Sequence, residues 1–244
     1  MELIRRCLLF SVAISIICCP GRAVAAPPLV LGDAEIVPYE QWEVWLSCSY
    51  KETKDERAYK APTLEVIYGL LPRLEWSLET TYFVDENGDK SEGIECIGTQ
   101  PKYLLVEEGD RNPALTAALQ VEVPTDDDQS RLDFDECVYA PAIASEKHFG
   151  PVLLVGQVKY FIDKKWRYGM DLMYEWDDEL KFLAEVYGHH YTNSEKLDEL
   201  NFRLGFKYKF VENGKVYFAA GRSISHAEDT RPLFEAMTGI MFEY

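Results

Sequence analysis

Across most of the 244-residue chain, apolar and polar residues alternate one by one in runs of about ten. Trp42, Val44, Leu46, Cys48 and Tyr50 alternate with Glu43, Trp45, Ser47, Ser49 and Lys51. Leu115, Ala117, Leu119, Val121 and Val123 alternate with Thr116, Ala118, Gln120 and Glu122. Trp166, Tyr168, Met170, Leu172 and Tyr174 oppose Arg167, Gly169, Asp171 and Glu175, and Phe202 through Phe210 repeats the pattern. Side chains of a strand point alternately to its two faces, so each run has one greasy and one charged face. Neither a helical stripe nor an apolar run long enough for a spanning helix follows residue 25.

Alternation does not say whether the greasy face points inward or outward, but length, aromatics and connections do. Ten residues is the length of a tilted strand crossing a bilayer, and soluble strands are usually shorter, about five or six. Aromatic residues gather at the run ends, as Trp42 and Tyr50 or Trp166 and Tyr174 do, where a membrane barrel has its interfacial girdles. Tight connections (71–72, 106–112, 147–150, 176–178, 211–214) alternate with longer polar ones (51–61, 84–92, 124–135, 189–198, 225–232). Short periplasmic turns and longer external loops produce that asymmetry. Residues 162–164 break it and are the weakest point of the strand count. The expectation is all-β: one antiparallel transmembrane barrel of about 12 strands, multi-pass in the cell outer membrane of a Gram-negative bacterium.

The two ends of the chain agree with that reading. Arg5 and Arg6 precede an apolar run from Cys7 to Cys19, and Ala23-Val24-Ala25 follows, which reads as a cleaved secretory signal over 1–25 ahead of a barrel domain over 26–244. Removing the signal takes the formal charge from −17 to −19, which argues against nucleic acid as a partner. Cys48, Cys96 and Cys137 remain, too few and too scattered for a disulfide framework or a metal site. The chain closes on TGIMFEY, with Ile240, Phe242 and Tyr244 on the lipid side of the last strand.

Gly239, Phe242 and Tyr244 resemble the carboxyl-terminal signal read by the barrel-assembly machinery, with Met237 where that signal usually has a polar residue. Trp42-Glu43, Tyr68-Gly69-Leu70 with Arg73-Leu74-Glu75, Val123-Pro124-Thr125, and Ala184-Glu185 with Gly188 resemble motifs of the bacterial outer-membrane barrel family named "MetA-pathway of phenol degradation". Asp126 replaces a glycine of that family's pattern. The resemblance implies a membrane barrel with a transport role, for an aromatic or hydrophobic solute.

With the apolar faces on lipid, Glu75, Glu79, Glu122, Asp171, Glu175, Glu185, Arg203 and Lys207 are the lumen-lining candidates, joined by Arg167, Lys181 and Lys209. The expected function is a passive channel for a small solute, without cofactor or metal, in contact with the bilayer and lipopolysaccharide. One alternative is a plugged barrel with a structural or surface-interaction role, whose charges pair across the interior. A second is a lipid hydrolase using Ser223, Ser225, His226 and Glu228, although Ser225 and His226, as neighbours in a strand, would diverge. His189-His190 has the same defect as a metal pair, and Asp126-Asp127-Asp128 with Asp133 and Asp135 lacks the spacing of a dedicated calcium loop.

Overall fold

The computed structural model describes residues 31–54, 57–85, 93–125, 137–162, 165–192, 198–225 and 232–244. Among them are twelve strands and no helix: β1 (Trp42–Glu52), β2 (Arg57–Leu71), β3 (Leu74–Asp85), β4 (Gly93–Val106), β5 (Ala114–Pro124), β6 (Val138–Phe149), β7 (Val152–Phe161), β8 (Lys165–Glu175), β9 (Leu180–Tyr191), β10 (Glu199–Val211), β11 (Gly214–Ser223) and β12 (Phe234–Glu243). Each strand pairs antiparallel with its neighbours in sequence, and β12 returns to β1, closing the barrel. Closure leaves no strand edge with unpaired amides, the condition for a sheet to stand in lipid.

The period of two is realised as expected. Leu46, Leu78, Leu119, Met170, Leu172 and Leu204 are exposed on the outer face. Aromatic contacts lie in two bands. Trp42 meets Tyr68 with ring centroids 4.2 Å apart and Phe210 meets Phe242 at 6.1 Å, at the end carrying the short turns. Tyr50 meets Tyr59 at 4.8 Å and Tyr160 meets Trp166 at 4.4 Å, at the loop end. The outside is therefore an apolar belt between aromatic rims, the surface a bilayer covers.

Two connections differ from expectation. β1 and β2 continue well beyond the connection read at 51–61, with Tyr50 opposite Tyr59 and Glu52 opposite Arg57. A register shift opposite Cys48 absorbs Ala61 and Pro62, so a proline without an amide proton does not end the strand. The break at 162–164 costs no strand: β7 ends at Phe161, β8 begins at Lys165, and the loop end simply has one tight connection.

In the turn joining β4 to β5, Glu108 accepts hydrogen bonds from the His148 amide (2.9 Å) and pairs with His148 Nδ1 (2.7 Å) and Lys147 Nζ (3.1 Å). Desolvation pushes its carboxyl up, but the bonds to His148 and Lys147 outweigh that and hold it down at about 2. A depressed carboxyl adds stability above its ordinary value of 4.5 and loses it as pH falls through about 2. Hydrogen exchange should show the His148 amide losing protection over that interval, and Glu108→Gln should abolish the pH dependence.

At the seam, Trp42 and Tyr244 exchange two backbone hydrogen bonds of 2.9 Å each. Deleting Tyr244 removes both, at about 0.5–1.5 kcal/mol apiece. The shift between folded and unfolded mobility in a heated gel should then occur at lower temperature than for the full chain.

Candidate functional site in the barrel lumen

The unexpected element lies before the first strand. Residues 31–37 run inside the barrel, where Leu31, Ala34 and Val37 are 1%, 0% and 3% exposed. A backbone that leaves the sheet carries unpaired amides, and in an enclosed space each needs an acceptor. Three wall carboxylates supply them. Glu185 Oε1 accepts from the Leu31 amide at 3.1 Å, Glu146 Oε2 from Ala34 at 3.0 Å, and Glu75 Oε2 from Val37 at 2.6 Å. Gln157 Nε2 donates to the Gly32 carbonyl at 3.1 Å. Lys102 Nζ holds Asp33 at 3.0 Å and Glu75 at 2.9 Å, tying segment to wall by charge.

Packing complements those bonds. Val37 joins Trp45, Ile67, Tyr217 and Met241 on one side, and Ala34 joins Ala114 and Ala144 on the other. Burying a valine side chain contributes about 1.5–3 kcal/mol. The segment then turns into β1: the Gln41 amide bonds the Pro38 carbonyl at 3.0 Å, and Glu40 has φ 64°. Gly69 grips this turn by accepting from the Glu40 amide at 2.9 Å and donating to the Gln41 carbonyl at 3.0 Å. A Cβ on Gly69 would lie 1.9 Å from the Pro38 oxygen, so this position needs glycine.

The lumen candidates all stand on the inward face, in separate groups. Glu75 and Glu185 clasp the segment. Asp171 opposes Glu185, which opposes Arg203. Arg203 reaches over Gly221 to grip Glu235 with two bonds of 2.6 and 2.7 Å, and Tyr187 donates its hydroxyl to the same carboxylate at 2.7 Å. Such a bidentate pair fixes orientation as well as charge. Near the turn end Glu175 bonds Lys181, which opposes the buried Lys207; Lys209 opposes Lys215, itself bonded to Glu243. Glu79 and Glu122 lie closer to the loops, with Arg167 on the facing wall.

Sequence reasoning missed Glu146, Lys102, Gln157 and Asp33. A sequence trace of the segment does exist: Leu31, Ala34 and Val37 are small or apolar at regular spacing, ahead of the first strand and with no neighbouring strand to pair with. His189 and His190 diverge as expected, His189 inward beside Arg167 (3.1 Å) and His190 outward beside Asp198 (2.9 Å). Ser223 bonds the Leu200 carbonyl and Ser225, both at 3.1 Å. His226, Glu228, the aspartates at 126–128, 133 and 135, and the signal at 1–25 lie outside the described residues. No disulfide joins Cys48, Cys96 and Cys137 among the described residues.

The barrel has counterparts among solved structures. The fold is that of outer-membrane channels. The COG4313 outer membrane channel from Pseudomonas putida F1 superposes with a TM-score of 0.64 over 88% of this chain and 100% of its own, at 18% identity. The NanC porin gives 0.61 over 82% and 98% at 10% identity, and the KdgM porin 0.58 over 82% and 99% at 11%. No family model and no curated protein sequence matches the chain, so the specific phenol-degradation family gains no support.

Unseating the segment should be measurable. In a background without other cysteines, Ala34→Cys should resist a water-soluble maleimide. Adding Gly69→Val, which crowds the Pro38 turn, or Lys102→Met, which leaves Asp33 and Glu75 without their shared cation, should make it react. Breaking a buried ion pair from one side costs about 3–5 kcal/mol, enough to favour release.

Proposed function

We propose that this protein is a passive outer-membrane channel for a small solute, shut in the state described by its own residues 31–37. The observation that carries the reading is that the lumen admits an extended polypeptide backbone. A barrel whose wall side chains alone filled it would have no room for one, and a space that holds a polypeptide accepts a small solute when the segment moves. The apolar outer belt, the charged inner face and the likeness to channel structures support placement in the outer membrane, turns toward the periplasm and loops outward.

An aromatic or hydrophobic body for that solute is the finer proposal, carried by the resemblance in the sequence alone. For assembly, Phe242 on the outer face, Tyr244 at the seam and Gly239 facing inward form a terminal strand suited to the barrel-assembly machinery, with lipid and lipopolysaccharide as the surrounding partners. The buried Lys102 pairs with Asp33 and Glu75 favour a second reading, a barrel closed permanently for a structural role.

Planar-bilayer recordings separate the two. The mature chain should give small or rare current steps, and a variant lacking residues 31–37 should give larger, steady ones. A deletion variant that folds and inserts yet stays silent would refute the channel and leave the structural reading.

A further inference from the structure

Above the clasped segment, toward the loops, the inner face changes character. Glu65 lies directly opposite Glu79, Glu79 opposite Gly98, and Gly98 opposite Glu122, so three carboxylates share one transverse row across β2 to β5. Lys159 lies directly opposite Arg167, and Arg167 opposite His189, forming a second row across β7 to β9. Like charges opposed across a ladder destabilise it, and each row contains such a pair. Departures of this kind from local stability concentrate at functional sites.

The rows occupy facing walls, since β2 and β8 stand six strands apart in the closed ring of twelve. They also share a depth: the Lys159 ammonium is within electrostatic reach of Glu122, Glu79 and Glu65, and the Arg167 guanidinium of Glu122. Hydrogen bonds join the rows along one side of the wall. Lys159 Nζ donates to Gln120 Oε1, and Gln120 Nε2 to Glu122 Oε1, both at 2.6 Å. The small side chains of Ala140 and Ala142 leave the gap over β6 that these long ones cross. On the basic wall, Arg167 Nε donates to His189 Nε2 at 3.1 Å while His189 Nδ1 stands 3.6 Å from Glu199, which orients the guanidinium.

Exposure separates this level from the one beneath. Glu65, Glu79, Glu122 and Arg167 are half-buried though they face inward; Lys159, held against Gln120, is 8% exposed, and Asp171 and Glu185 lower down are 1% and 0% exposed. Four of the five charged groups in the two rows therefore remain accessible above a closed floor, and together the rows line a vestibule. A solute with one charge is drawn to one wall and repelled by the other. A solute with an ammonium and a carboxylate at opposite ends satisfies both.

We propose that this vestibule recognises small zwitterionic solutes, with their cation toward Glu65, Glu79 and Glu122 and their anion toward Lys159 and Arg167. The proposal rests on the channel reading for its purpose, and binding can be measured without passage. Folded mature barrel in detergent micelles is titrated calorimetrically with 4-aminobutyrate, butyrate and butylamine. The zwitterion should bind about tenfold tighter than either single-charge probe, a difference of about 1.4 kcal/mol. Glu65→Gln with Glu79→Gln should reduce it to the level of butyrate, and Lys159→Met with Arg167→Gln to that of butylamine.

Should either double variant fail to fold, salt tests the unaltered protein. Between about 0.01 M and about 1 M the screening length falls from about 30 Å to about 3 Å, so the zwitterion preference should shrink. Equal binding of all three probes, or a preference indifferent to salt or surviving both double variants, overturns the vestibule. In liposome swelling with the variant lacking residues 31–37, binding preference without uptake would refute the channel alone. Uptake without preference would refute the vestibule alone.

Discussion

Closing β12 onto β1 satisfies every strand edge, but it encloses a space that the wall side chains do not fill. The rest of the interior follows from how that space is occupied. Residues 31–37 enter it with free amides, and Glu75, Glu146 and Glu185 stand as acceptors at the places where those amides arrive. Lys102 then has to balance the charge that this arrangement gathers, and it does so by bridging Asp33 on the segment and Glu75 on the wall.

Desolvated charge sets the character of each level. Around the segment the charges are sealed, and Arg203 grips Glu235 and Lys102 grips Glu75 at close range, although the sealed Asp171 also stands opposite Glu185. Nearer the loops Glu65, Glu79, Glu122 and Arg167 reach solvent, which screens the charges opposed in their rows. The same residue types thus hold a segment in place at one depth and shape an electric field at another.

Much of the architecture was legible from period and punctuation. The strand faces around Trp42, Trp166 and Phe202 follow from alternation, and the outward turn of Phe242 from its place in TGIMFEY. The short connection after Phe161 is the weakest point of the count read from the sequence, because loop length says nothing about ladder pairing. Strand β2 ran past Pro62, since a bulge can absorb a missing donor. The inward charges were readable one by one as lumen-facing, yet their partners were not, because partners across a barrel are far apart in sequence. Glu146 and Ala34 are separated by 112 positions.

By itself the sequence determined that each strand has one apolar and one charged face, because a two-residue period places side chains through local backbone geometry alone. Run length, aromatic ends and alternating connections turned the apolar faces outward on a barrel. Only the tertiary structure decided that residues 31–37 occupy the lumen, that Gly69 must lack a side chain beneath Pro38, and that acid and base rows face one another. Those facts depend on which strands ring closure brings to the same depth, and ring closure is a property of all twelve strands together.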